Sequence, residues 1–380
     1  MLQTVATRLK NALRESDVIA RLGGDEFAVL LTGIDSPLDV QAIADKVIQH
    51  IGLPCSNLDG NTLQITPSVG IALFPRDGHD FETLCRHADT AMYHAKKNGR
   101  GRHCFYEPAL GKDNHRQQLL EQQLPSAIAH DQLRVYWQPQ IDARDNRLLG
   151  FEALLRWQHP EHGLLAPDDF IGLAENSTTL QALGTWVVET SCAQLATWRQ
   201  AGLPCVPIAM NFTVNQLLDR KLPQRIADIA RQHGVDRQLL KVDIPERALT
   251  ESFEQTANAL YALHKIGISI ALDHFACGFA NLAHIRALPI DTLKIGQPFI
   301  QAFHNDDEHV TIIEAIITLA HKLQKRVIAV GVESNAQHMR FKLAGCDILQ
   351  GMLFSPPLPT EAATEYLAQA TPSTSEPPQS

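Results

Sequence analysis

Carboxylate, amide and lysine side chains recur near the ends of short apolar runs between residues 133 and 350. The runs have the length and composition of buried strands. Carboxylate and amide oxygens are the ligands that Mg²⁺ and Mn²⁺ prefer, so a cluster of them predicts a divalent-cation site. Any one of them alone is equally a surface carboxylate or a helix cap, whereas seven at matching positions indicate a shared site. The seven are Glu152, Asn211, Asp243, Asp273, Lys294, Glu333 and Gln350.

The strands that carry these side chains alternate with helical patterns. Helices are predicted at 180–200, 252–266 and 308–324, among others. The predicted strands are residues 133–139, 149–155, 206–211, 240–244, 268–273, 292–295, 326–331 and 347–350. Repeated strand–helix units of this number are typical of a TIM-type α/β barrel, in which the carboxyl ends of the strands meet at one mouth. The seven polar side chains would converge there.

Residues 1–106 follow a different pattern. Helical periodicity at 2–15, 37–50 and 81–95 surrounds two apolar runs, which predict a β-hairpin with Gly23 and Gly24 at its turn. A polar stretch with Pro108 and Gly111 predicts a linker. We therefore expect a partial α+β domain followed by a barrel domain and a disordered tail. The boundaries are 1–106 for the first domain, 107–115 for the linker, 116–368 for the barrel and 369–380 for the tail.

Composition places the chain among soluble globular proteins, with 44% hydrophobic and 20% charged residues in 380. The formal net charge of −9 argues against a nonspecific nucleic-acid coat, which needs a basic surface. No apolar stretch has the length of a membrane span, and the first residues lack a signal-peptide pattern. The seven cysteines form no CxxC pair and indicate reduced thiols. A cytoplasmic protein is expected.

Residues 115–368 resemble the EAL family of cyclic-di-GMP phosphodiesterases. The resemblance rests on FEALLRWQHP at 151–160, PDDFI at 167–171, LGTW at 183–186, LPIDTLKI at 288–295 and GCDILQG at 345–351. It implies a TIM-like (β/α)8 barrel in which two ions, Mg²⁺ or Mn²⁺, hold a phosphodiester of cyclic-di-GMP and activate water, giving linear pGpG. It also implies pairing of EAL barrels, so a homodimer is expected.

The resemblance also implies roles for individual residues. Lys294 and Glu333 match catalytic positions, and Glu246 matches a residue that pins a loop beside the site. Arg156 and Gln350 match ligand-binding positions, Arg156 against a ligand phosphate or the adjacent strand. The implied metal ligands are Glu152, Asn211, Asp243 and Asp273.

Two departures from the family pattern bear on catalysis. His274 stands where the family has a second aspartate, and neutral imidazole is a poor Mg²⁺ ligand. Val330 replaces a glutamate and can neither bind a metal nor accept a proton. Three of the five family carboxylates therefore remain, which predicts one nearly intact metal site and one degenerate site. Little or no hydrolysis is expected, because a metal-activated nucleophile supplies most of the rate.

Smaller departures surround these two positions. Asp243 replaces a longer glutamate, Pro245 a threonine and Gly296 an aspartate. The loop 275–282 is rewritten as FACGFANL, with Ala276 in place of a glycine whose backbone freedom serves the loop shape. These changes predict a weakened but recognisable site.

Residues 1–106 resemble the C-terminal part of a GGDEF, or diguanylate cyclase, domain. RLGGDEF at 21–27 and ADTAMYHAK at 88–96 carry the resemblance. Arg14 and Asp17 lie at the spacing of the family's inhibitory cyclic-di-GMP site, although a surface ion pair gives the same pattern. The family domain begins well upstream of Met1, so an N-terminally truncated domain without cyclase activity is expected. The motif residues are Gly23, Gly24, Asp25, Glu26 and Phe27.

Three functions remain open on the sequence. The favoured one is a bacterial cyclic-di-GMP receptor or regulator with a degenerate EAL domain, since binding needs a guanine pocket and Arg156 but not both metals. The second is a metal-dependent phosphodiesterase with residual activity. The third is a protein-interaction module without a ligand.

Overall fold

The computed structural model describes residues 2–34, 36–56, 62–63, 65–97, 99, 101–174, 178–275, 282–296, 300 and 307–370. They fall into two compact units, Met1–Leu119 and Leu120–Ser380. Among these residues, no helix is both long and apolar enough to cross a membrane.

The first unit contains helices packed beside short strand pairs. β1 and β2 form the predicted hairpin, β3 and β4 pair antiparallel, and β5 and β6 pair parallel. The predicted helical periodicity is confirmed: Leu9 and Ala12 of the first helix pack on Val47 and Ile51 of the second. The elements are α1 (Leu2–Ala12), β1 (Val18–Gly23), β2 (Glu26–Leu30), α2 (Pro37–Gly52), β3 (Cys55–Ser56), β4 (Thr62–Leu63), β5 (Val69–Ile71), α3 (Phe81–Lys97) and β6 (His103–Phe105).

Residues 108–115 are helical, although their composition predicts an irregular linker. They belong to α4, which runs over Pro108–Ala129. Pro108 occupies the first helical position, where its missing N–H removes no helical hydrogen bond. The division between the units falls at Leu119, four residues after the end of the predicted linker.

The second unit is a strand–helix alternation. Its elements are β7 (Leu133–Asp142), β8 (Leu148–His159), β9 (Gly163–Leu165), α5 (Pro167–Phe170), α6 (Thr178–Gln200), β10 (Ile208–Asn211), α7 (Val214–Leu217), α8 (Leu222–Gln232), β11 (Leu240–Pro245), α9 (Ala248–Glu251), α10 (Phe253–Lys265), β12 (Ser269–Phe275), α11 (Leu282–Ala287), β13 (Thr292–Ile295), α12 (Asp307–Lys322), β14 (Arg326–Val330), α13 (Asn335–Leu343), β15 (Ile348–Gln350) and α14 (Thr360–Ala370). The predicted strand positions are confirmed, with ends that differ by a few residues.

The strands close into a barrel, as the resemblance implies. β10 to β15 pair in succession, β15 pairs with β7, β7 with β8, and β8 with β10. Eight strands of the described chain thus form a ring, with β9 added outside it. β7 is antiparallel to both of its neighbours. Only residues 143–147 join β7 to β8, too few for the crossover that a parallel pair requires.

Side-chain alternation divides the barrel strands into an inner and an outer face. Trp137 on β7 and Phe151 on β8 are fully buried and pack with Trp198 of α6. Gln138 and Glu152 are partners across these strands and lie on the opposite, inner face. The outer face therefore builds the apolar core, and the inner face carries polar side chains.

Candidate functional site

Three carboxylates lie around a single lysine side chain at the barrel mouth. Lys294 on β13 is 1% exposed, and its Nζ lies 2.7 Å from Asp243 Oδ2 and 3.0 Å from Glu152 Oε1. Asp273 Oδ2 lies 3.9 Å from the same Nζ. The three carboxylates come from β8, β11 and β12, whose parallel arrangement brings their carboxyl ends together.

Three carboxylates around one ammonium leave the cluster with a net charge of −2 when all are ionised. Burial raises the pKa of Asp243 to about 6; Lys294 opposes this shift, and the other two carboxylates reinforce it. Asp273 is half-buried, which favours a raised pKa, but Lys294 and His274 hold the pKa of this carboxyl well below its usual range. Despite burial, the three carboxylates keep the pKa of Lys294 well above its ordinary value. The lysine is therefore charged, and Asp243 retains its proton to higher pH than Asp273 does.

The raised pKa of Asp243 predicts a pH-dependent stability. The folded state holds the proton up to about pH 6, whereas the carboxyl of the unfolded chain releases it near its ordinary pKa of 3.8. Stability is therefore lost as pH rises through this window, by about 3 kcal/mol at most. We expect Asp243→Asn, which cannot ionise, to raise the free energy of unfolding in metal-free buffer by about 1–2 kcal/mol at pH 8 and to change it little at pH 4.

Urea unfolding at the two pH values measures this effect. Asp228→Asn is the matched control, since Asp228 is half-exposed on α8 and pairs only with its helix neighbours Gln224 and Arg231 in the described contacts. A loss of stability in Asp243→Asn at pH 8 would show that the bond to Lys294 outweighs the cost of burying the charge.

Glu152 is held by donors on both oxygens. Asn211 Nδ2 donates to Oε1 at 2.7 Å, beside the Lys294 contact, and Gln350 Nε2 donates to Oε2 at 2.5 Å. Gln350 also donates to Gln138 Oε1 at 2.9 Å and accepts from Gln140 Nε2 at 3.1 Å. Glu152 therefore has its orientation fixed by three side chains from three other strands.

Gln138 and Gln140 are site residues that the sequence reasoning missed. They occupy alternate positions of β7 among apolar residues of the other face. A strand predicted at 133–139 with polar residues two apart could have identified them, since period-two residues share a face. The sequence reasoning considered only residues at the carboxyl ends of strands. β7 runs antiparallel to β8, so its inner-face residues reach the mouth from the opposite direction.

His274 adopts a backbone conformation unusual for its type. Its φ is +57°, in the left-handed region. Its backbone N–H donates to Asp273 Oδ1 at 2.8 Å, and its Nδ1 lies 3.3 Å from Oδ2 of the same carboxylate. This contact raises the pKa of His274. The imidazole is 64% exposed and lies against the carboxylate of the preceding residue, Asp273, at the edge of the cluster.

Val330 lies beside Gln350 at the mouth. The two are partners across β14 and β15, so their side chains share the inner face. Val330 is half-buried there and contributes no polar atom.

The remaining predicted residues surround the cluster. Arg156 lies four residues beyond Glu152 on the same face of β8, half-buried over the Tyr136 ring at 5.8 Å, and burial lowers its pKa. Glu246 is buried, and its backbone N–H donates to Asp273 O at 3.1 Å. Glu333 is exposed, with its backbone N–H donating to Gln337. The altered loop 276–281, with Ala276, lies outside the described residues.

The glycine pair of the first unit forms the turn of the β1–β2 hairpin. Arg21 reaches across it, with Nη2 donating to Gly24 O at 2.7 Å. Gly24 has a φ of +47°, a conformation that glycine adopts without strain. Phe27 packs toward the α1–α2 core. Asp25 and Glu26, which lie between the glycine pair and Phe27, are exposed.

Arg14 and Asp17 meet through the backbone. Asp17 Oδ2 accepts from the Arg14 N–H at 2.9 Å and closes a turn after α1. The Arg14 side chain is exposed. The described contact is therefore local to this turn.

Residues 121–357 match the family model described as the EAL domain, which covers more than half of the chain. The chain belongs to the EAL family. Residues 1–102 match the diguanylate cyclase GGDEF domain. The family assignment agrees with the motifs at 151–160 and 21–27 and with the closed barrel.

Curated relatives are longer chains. The EAL protein is 34% identical over 361 residues to the bifunctional diguanylate cyclase/cyclic di-GMP phosphodiesterase MucR of Pseudomonas aeruginosa, covering 95% of this chain and 52% of MucR. It is 35% identical over 367 residues to the cyclic di-GMP phosphodiesterase NbdA of the same organism, covering 97% and 47%. The chain thus spans about half the length of the curated relatives it matches.

Solved structures are also similar to this chain. A structure titled as the MucR phosphodiesterase in complex with c-di-GMP is 31% identical, with a TM-score of 0.62, over 64% of this chain and 99% of that one. The EAL domain of Mycobacterium smegmatis DcpA is 27% identical, with a TM-score of 0.54, over 63% and 97%. Both similarities agree with an EAL barrel.

EAL domains generally depend on divalent metal ions, and the carboxylate and amide oxygens of the cluster are of the kind that such ions bind. Asp243 Oδ1 is buried and has no hydrogen-bond partner among the described residues, which leaves an oxygen available beside Glu152, Asn211 and Asp273. Among the described residues, no group of three or more His, Cys, Asp or Glu side chains is arranged to hold a metal ion, and Lys294 Nζ lies between the three carboxylates.

Proposed function

We propose that the barrel is a cyclic-di-GMP receptor that uses one divalent cation and hydrolyses its ligand little or not at all. The observation that carries this proposal is the charge of the cluster around Lys294. Three carboxylates and one ammonium leave −2, which one divalent ion neutralises. With five carboxylates, as the family resemblance implies, the same lysine would leave −4 and balance two ions. The retained cluster therefore supports ligand binding through one cation.

Arg156 supports binding independently of the metal. It lies at the rim of the mouth on the inner face of β8, with Tyr136 beneath its guanidinium. A guanidinium in this place can pair with a phosphodiester oxygen of a dinucleotide. MucR, a relative of similar sequence, has a structure titled as a c-di-GMP complex.

The weak hydrolysis follows from the second cation position. In-line attack on a phosphodiester by two-metal catalysis needs an activated water held by both ions. Here Val330 provides no ligand, and the His274 imidazole is engaged by Asp273. Cyclic-di-GMP would be held without an activated nucleophile.

A Mn²⁺-dependent phosphodiesterase is the second candidate. Imidazole binds Mn²⁺ more readily than Mg²⁺, and His274 is positioned beside a carboxylate that would serve the first ion. The names of MucR and NbdA include cyclic di-GMP phosphodiesterase. This candidate predicts turnover in Mn²⁺ only.

Calorimetric titration with cyclic-di-GMP tests the proposal. The full chain is titrated in Mg²⁺, in Mn²⁺ and in EDTA, and the nucleotide is then recovered and separated by chromatography. Binding that needs a divalent ion and returns intact dinucleotide supports the receptor. Formation of pGpG in Mn²⁺ alone supports the second candidate, and absence of binding in all three buffers leaves a protein-interaction module.

Arg156→Ala is expected to weaken cyclic-di-GMP binding by at least about tenfold, because a charge-assisted contact to phosphate is lost. Arg134→Ala is the matched control. Arg134 is the cross-strand partner of Arg156 but pairs locally with Asp131. Equal losses in the two variants would mean that only the overall charge of the rim matters. The affinity is read by the same titration.

A further inference from the structure

Gln350 is held at both ends of its side-chain amide by the two inner-face glutamines of β7. Its Nε2 donates to Gln138 Oε1 at 2.9 Å, and its Oε1 accepts from Gln140 Nε2 at 3.1 Å. Gln140 and Gln350 are each 1% exposed. A buried amide oxygen without a donor is costly, so Gln140 determines which end of Gln350 is the acceptor.

The orientation of the Gln350 amide determines whether Glu152 Oε2 faces a hydrogen-bond donor or an acceptor. With its oxygen turned to Gln140, Gln350 presents Nε2 to Glu152 Oε2. In the reversed orientation, an amide oxygen would face the carboxylate oxygen, and Glu152 would have to turn away. Glu152 Oε1 would then leave its contacts with Lys294 and Asn211.

We propose that Gln140 is a positioning residue that acts through Gln350 to hold Glu152 in the orientation that serves a divalent cation. The proposal rests on the one-cation site of the proposed function. Partners that orient a metal ligand typically change metal affinity by about 10–100-fold when they are lost. Gln140 touches neither the cation position nor Glu152 in the described contacts, so its effect is transmitted through Gln350.

Two substitutions of equal charge separate positioning from electrostatics. Gln140→Glu replaces the donor that faces Gln350 Oε1 with an acceptor, which favours the reversed amide. Gln138→Glu adds the same charge two residues away but keeps the acceptor that Gln350 Nε2 already uses. By charge alone both variants would bind a cation more tightly.

The first measurement is a calorimetric titration of the full chain with Mn²⁺, which gives the affinity for the metal ion. Gln140→Glu is expected to weaken Mn²⁺ binding by about tenfold, and Gln138→Glu to strengthen it. Gln140→Met, which removes the donor without adding charge, is expected to weaken binding as well, and it serves if the glutamate variant folds poorly. Changes of the same sign in both glutamate variants would overturn the proposal.

A second measurement does not depend on metal binding. In metal-free protein labelled with ¹⁵N-glutamine, the Gln350 side-chain amide is assigned by its loss in Gln350→Leu. Gln140→Glu is expected to displace this resonance strongly, and Asp228→Asn, at a half-exposed position of α8, to leave it close to its original position. An unmoved Gln350 amide in Gln140→Glu would overturn the positioning role. Failure of the unmodified protein to bind Mn²⁺ would contradict the proposed function, while the amide resonance would still decide the role of Gln140.

Discussion

His274→Asp together with Val330→Glu is expected to raise the rate of cyclic-di-GMP hydrolysis in Mg²⁺ by at least about 100-fold. The pair returns two carboxylates to the inner face beside Asp273 and Gln350. The cluster charge changes from −2 to −4, which two divalent ions neutralise. Aspartate also tolerates the left-handed backbone at position 274. The measurement is chromatographic quantification of pGpG.

The single variants provide the controls. Each returns one ligand and is expected to gain far less than the pair, because two-metal activation of water needs both ions. Absence of any gain in the double variant, with cyclic-di-GMP still bound, would mean that the residues at 274 and 330 do not limit hydrolysis as proposed. The shortened Asp243 would then be the next residue to restore, as Asp243→Glu.

Lys294→Met is expected to lower the free energy of unfolding of the barrel by about 3–5 kcal/mol in metal-free buffer at pH 7. The substitution leaves Glu152, Asp243 and Asp273 without their shared cation. Leaving buried charges without a partner is among the most destabilising changes in proteins. Methionine largely preserves the apolar contacts of the lysine stem, so the loss reports on the charge.

Tryptophan fluorescence during urea unfolding measures this loss in the barrel alone. The four tryptophans of the chain, at 137, 157, 186 and 198, all belong to the second unit. Lys265→Met, at an exposed position of α10, is the control and is expected to change stability by less than about 0.5 kcal/mol. Millimolar Mn²⁺ should restore part of the stability of Lys294→Met by taking the place of the ammonium. A loss below 1 kcal/mol without metal would show that the cluster does not carry three charges.

The sequence by itself determined the local elements and the family. Apolar runs of strand length predict each barrel strand, and the helical periodicity of α1 and α2 predicts the small core between them. The glycine pair predicts the β1–β2 turn. These features depend on neighbours in the chain, so periodicity and turn chemistry are sufficient to find them.

Tertiary structure alone decided how the site residues meet. Glu152 and Lys294 are 142 positions apart, and only closure of the barrel brings their side chains within 3.0 Å. The same closure places Gln138 and Gln140, from an antiparallel strand, against Gln350 more than 200 positions away. It also makes one ammonium the shared partner of three carboxylates, which gives Asp243 and Asp273 opposite pKa shifts. The reason is physical: charge interactions and burial depend on distances in space, and a linear pattern of residues carries no such distances.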